Sequence, residues 1–86
     1  MNNQQLEFPC EFPIKVFGTA TEDFEKAVIM IIRKHVPDVR EDFLKSRPSK
    51  DGKYIALTLT VHATSREQLD TIYQDLTSCP YVLMAL

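Results

Sequence analysis

Apolar and polar positions along the chain repeat with two periods, and the switches between them mark the elements. In "FPIKVFG", residues 12–18, Ile14 and Val16 point one way and Lys15 and Phe17 the other, which predicts a strand closed by Gly18. "TATEDFEKAVIMIIRKHVP" turns to a helical period. Thr21 stands as N-cap, Glu22 and Asp23 lie in the first turn, Arg33, Lys34 and His35 in the last, and Pro37 is the stop. Phe24, Ala27, Val28, Ile31 and His35 share one helix face, widened by Ile29, Met30 and Ile32. "VREDFLKSRP" is weakly patterned and heavily charged, as suits an edge strand over residues 39–47. Asp51-Gly52 then marks a hairpin turn.

"YIALTLTVHATSREQLDTIY", residues 54–73, holds the sharpest switch. Ile55, Leu57, Leu59, Val61 and Ala63 line one strand face; Tyr54, Ala56, Thr58, Thr60 and His62 line the other. Ser65 with Gln68, or Thr64 with Glu67, then forms a capping box. Leu69, Ile72, Tyr73 and Leu76 follow at helical spacing until Pro80. "YVLMAL" closes the chain as a short strand, with Val82, Met84 and Leu86 on one face.

The order strand, helix, strand, strand, helix, strand predicts an α+β ferredoxin-like βαββαβ sandwich. Its four-stranded antiparallel sheet has the order 4-1-3-2 and both helices on one face. Residues 1–11 are expected as a flexible N-terminal segment and 12–86 as the single domain. The helices should cover Ile14, Val16, Ile55, Leu57, Leu59, Val61, Val82 and Met84. The other face is left bare, carrying Lys15, Phe17, Tyr54, Thr58, Thr60, His62, Tyr81, Leu83 and Ala85. Phe17, Tyr81 and Leu83 become contiguous there, with Lys15 and His62 on the same surface, and a contiguous exposed apolar patch marks a contact.

Composition narrows the function classes. Eighty-six residues at a net charge near −2, 44% apolar and 26% charged, describe one ordinary domain with no room for a deep cleft between domains. Absence of a basic balance argues against nucleic acid, and Thr58 and Thr60 stand where a base-stacking sheet would place aromatics. The sequence offers no apolar run of membrane-spanning length and no secretory start, so a cytoplasmic address is expected. Cys10 and Cys79 fall before strands that run antiparallel, hence at opposite sheet ends, and no disulfide is expected. Cysteines and histidines follow no zinc spacing, and no nucleophile can be placed beside His35 or His62; neither metal, cofactor nor catalytic residue is expected.

The stretches "LEFPCEFPIKVFG", "RKHVPD", "RPSKDGKYIALTLTVHATSREQLDTIYQDL" and "VLMAL" resemble the YbeD-like family of small bacterial proteins. The resemblance runs from Leu6 to Leu86. It implies a fold similar to the ACT regulatory domains of amino-acid metabolism and a setting near the octanoyltransferase of lipoate biosynthesis. It carries over no activity or catalytic residue. The expected function is therefore a non-enzymatic regulatory or protein-interaction module acting through the open sheet face or its edges, on another protein or on a second copy as a homodimer. The alternative is a metabolite sensor of ACT type, with an amino acid or similar effector at the turn of Gly18, Thr19 and Thr21, although "FGTATED" lacks the Asp-x-Pro-Gly pattern of such domains.

Overall fold

The computed structural model describes residues 7–39 and 41–86. Its elements are β1 (Cys10–Thr19), α1 (Glu22–His35), β2 (Leu44–Pro48), β3 (Tyr54–Ala63), α2 (Arg66–Ser78) and β4 (Val82–Ala85). The sheet order is β2-β3-β1-β4 with every neighbour antiparallel, the ferredoxin-like sandwich that the periodicities predict.

Local chemistry sets the helix ends. The Thr21 Oγ1 accepts the Phe24 N–H at 3.2 Å, and the Val36 N–H closes α1 on the Ile32 carbonyl at 2.7 Å. Ser65 caps α2 by accepting the Gln68 N–H at 3.1 Å. The return bond of the expected capping box goes one residue upstream: the Thr64 N–H donates to Gln68 Oε1 at 2.7 Å. Gln68 Nε2 also donates to the His35 carbonyl at 3.3 Å, so one side chain serves the end of α1 and the start of α2.

Phe24, Val28 and Ile32 of α1 and Leu69, Ile72 and Leu76 of α2 are buried against Ile14, Val16, Leu57, Leu59, Val61 and Ala63 of the sheet. Met30 points to solvent instead of widening this stripe. The five-residue hairpin loop 49–53 is held by Asp51, whose carboxylate accepts from Ser49 Oγ at 2.7 Å and the Lys53 N–H at 3.1 Å. Those bonds, Ser49 first, lower the Asp51 pKa. Gly52 takes the positive φ of 74° that the turn needs.

Three expectations are corrected. Of the N-terminal segment, residues 1–6 lie outside the described residues, and β1 begins at Cys10, not Phe12, because Cys10 pairs with Ala63 and packs on the core. The edge strand is Leu44–Pro48, shorter than 39–47: Glu41–Phe43 form a single 3₁₀ turn that buries Phe43. The third concerns β4. Val16 faces Ala85 and Phe17 faces Met84, but Gly18 faces Val82, so Leu83 is the extra residue of a β-bulge. Met84 and Ala85 thereby exchange faces relative to the expected alternation: Ala85 packs on the core and Met84 joins the open face.

Gly18 explains the bulge. A Cβ there would lie 2.5 Å from the Phe24 ring and 2.7 Å from the Tyr81 carbonyl oxygen. Only glycine lets the buried ring and the entry to β4 approach β1 this closely.

Candidate functional site

With both helices on one side, the second sheet face is open, and the registers place its residues in rows. Leu86 exchanges both backbone bonds with Lys15, at 3.0 and 2.7 Å, and Lys15 lies opposite Thr58, which lies opposite Lys45. The next row reads Met84, Phe17, Ala56, Arg47. In the other direction come Pro13 with Thr60, then Glu11 with His62. Leu83 is 63% exposed, Met84 51% and Leu86 61%, and Tyr81 is exposed beside them. Of the predicted surface, Phe17, Lys15 and Leu83 gather at one end, now joined by Met84 and Leu86; His62 stands at the other.

Lys15, Lys45 and Arg47 are exposed, and none has a carboxylate partner among the described residues. With Phe17, Ala56 and Thr58 they bound a concavity of about 390 Å³. Small residues on β3 form its floor, and longer side chains on β1 and β2 form its walls. The opposite end of the face is acidic. His62 Nδ1 lies 2.9 Å from Glu11 Oε2 as a cross-strand pair, and Asp38, Asp42 and Phe43 line the hollow beside it. Both members of that pair are more than half exposed, so it contributes at most about 1 kcal/mol.

Part of the turn expected for a small effector is used by the fold itself. Gly18 abuts Phe24, Thr21 caps α1, and the Thr21 N–H donates to the Thr19 carbonyl at 2.8 Å. No group of three or more metal-ligating side chains converges among the described residues, and both cysteines are free. No helix among them is long and apolar enough to cross a membrane.

His35 is nearly buried between the helices, and its Nε2–H donates to Asp75 Oδ2 at 2.6 Å, with Lys34 Nζ at 3.5 Å. The His35 hydrogen bond, helped by the Lys34 charge, lowers the Asp75 pKa. A carboxylate depressed in the folded state contributes stability above its ordinary pKa and loses it as pH falls through the folded value. Asp75→Asn should therefore lower the thermal midpoint at neutral pH. Its difference from the parent should close once pH drops below the ordinary carboxylate range, as thermal melts over a pH series would show. A gap that stays constant down to acid pH would remove this role from Asp75.

A family model described as "Protein of unknown function (DUF493)" matches residues 3–86. The chain belongs to this family. DUF493 is the group that the YbeD-like motifs resemble. Among similar DUF493-type chains, a UPF0250 protein of Nitrosomonas europaea is 43% identical over 81 residues, covering 94% of this chain and 93% of its own. One from Paraburkholderia phytofirmans is 43% identical over 86 residues, covering 100% and 97%. The solution structure of protein HP0495 from H. pylori superposes with a TM-score of 0.75 at 16% identity, covering 95% of this chain and 86% of that one. The C-terminal domain of the MgtC protein from Mycobacterium tuberculosis gives 0.70, also at 16%, covering 94% and 88%. At that identity the likeness shows the fold alone.

Proposed function

We propose that this protein is a non-enzymatic regulatory module that works by docking another protein on its open sheet face. The observation that carries the reading is the uncovered apolar end of that face, where Phe17 and Met84 are direct cross-strand neighbours with Leu83 and Leu86 beside them. Water contact at so many large side chains is unfavourable, and coverage by a partner removes it. The ACT-like reading and the lipoate setting implied by the resemblance belong to the same proposal, and they make the octanoyltransferase of that pathway the first partner to test. The effector-turn alternative ranks second, because Gly18 and Thr21 already serve packing and capping.

Phe17→Asp and Leu83→Asp should each abolish capture of the partner, or self-association if a second copy is the partner, while far-UV circular dichroism and cooperative melting persist. Light scattering at several concentrations reads the self-associated form. Solution mass and partner capture that both match the parent in the two variants would sink the proposal.

A further inference from the structure

The open face has an electrostatic polarity that the apolar patch alone does not predict. Lys15 and Lys45 flank Thr58 in one row; Arg47 and Phe17 flank Ala56 in the next. With strands about 4.8 Å apart and two residues rising about 6.8 Å, the four flanking positions form a rectangle of roughly 10 by 7 Å. Cations occupy three of its corners and an aromatic ring the fourth, with Met84 next to the ring. Among the described residues no acidic side chain lines the concavity between them, although the whole chain carries a net charge near −2. Three exposed cations with no carboxylate partner among the described residues give this end of the face a positive potential that arriving carboxylates complement.

We infer that the docking surface takes a short acidic segment of a partner protein, its carboxylates on Lys15, Lys45 and Arg47 and one large apolar side chain on Phe17 and Met84. The inference rests on the open-face reading and names the chemistry of the occupant. A second copy placed basic end on basic end would bring like charges together; one turned end for end would not, and the light scattering below tests it. A long polyanion such as nucleic acid would run from the basic rectangle onto Glu11 and Asp38 at the far end, where it is repelled. A short acidic segment ends before it reaches them.

The test uses the full chain and two fluorescein-labelled peptides of about ten residues, one with four glutamates around a central phenylalanine, the other with glutamines in their place. Fluorescence anisotropy should show the glutamate peptide binding at least about 10-fold more tightly, and losing that advantage as salt rises from about 50 to 300 mM. Lys15→Ser, Lys45→Ser and Arg47→Ser should each weaken it about 3-fold and the triple variant about 20-fold or more, with thermal midpoints held within a few degrees. Glu11→Gln, at the far end, should leave binding unweakened.

Equal binding of the two peptides, binding of neither at millimolar concentration, or an unchanged triple variant would each overturn the inference. Light scattering separates its failure from that of the parent reading. A dimer lost in Phe17→Asp but kept in the triple cation variant assigns the face to a second copy: the open-face reading then stands and the acidic occupant falls. Tighter binding of a glutamate homopolymer as its length grows past the rectangle would overturn the short-segment form, because the acidic end should penalise the extra length.

Discussion

Gly18→Ala should destabilise the protein by about 3 kcal/mol, although adding a methyl group to an extended residue ordinarily helps by about 0.4–1 kcal/mol through the unfolded chain. The sign reverses because the added Cβ would meet the Phe24 ring at 2.5 Å and the Tyr81 carbonyl oxygen at 2.7 Å. Neither neighbour moves freely: Phe24 has no exposed surface, and the Tyr81 carbonyl belongs to the backbone that leads into β4. A domain of this length has about 4 to 13 kcal/mol of total stability, so the loss is a large fraction of it. The thermal midpoint should fall by more than about 10 °C. Phe24→Leu, which trims the ring, should recover part of the loss in the Gly18→Ala background. The pair should show a coupling of about 1 kcal/mol or more in a urea double-mutant cycle. Additive effects would mean that the ring does not press on Gly18. A neutral Gly18→Ala would remove the close approach altogether.

That contact also shows where sequence reading stops. In β3 every inward position is Ile, Leu, Val or Ala and most outward ones are polar, so the contrast exposes the face directly. "YVLMAL" has no polar position, and an alternation without contrast has no phase. The phase is set by a bulge at Leu83, which depends on a glycine 65 positions earlier, a helix residue and a backbone carbonyl meeting in space. The helix ends were legible because Thr21 and Ser65 act within three residues of themselves. The candidate site was half legible. Phe17 and Lys15 follow from alternation and topology, whereas Leu83 is exposed there as the residue of the bulge, and the basic rectangle needs the register of β2, whose start is hidden by the 3₁₀ turn at Glu41–Phe43. Read singly, Lys45 and Arg47 are ordinary edge charges. His62 with Glu11 and His35 with Asp75 escaped for the same reason, being 51 and 40 residues apart.

The bulge makes β4 the place where fold and function can be tested with one pair of substitutions. Without it, Met84 would face the core and Ala85 the open surface; with it, Ala85 lies across from the buried Val16 and Met84 across from Phe17. Ala85→Asp places a carboxylate against the apolar core with no partner, and should destabilise by about 2–3 kcal/mol, somewhat below the 3–5 kcal/mol of a fully buried unpaired charge because the site is only partly covered. Met84→Asp keeps its charge in water and should stay within about 0.5 kcal/mol of the parent. Val82→Asp, inward in either register, is the positive control for damage. Chemical denaturation of the three variants decides the phase, and the reverse order for residues 84 and 85 would restore the unbulged strand. Met84→Asp then carries a second readout. It puts an anion beside Phe17 at the edge of the basic rectangle, so a variant that melts like the parent should still bind the glutamate peptide more weakly, and the loss should shrink as salt screens the repulsion. A folded Met84→Asp that binds the acidic peptide as the parent does would place the occupant away from β4, on the Lys45 and Arg47 side of the face.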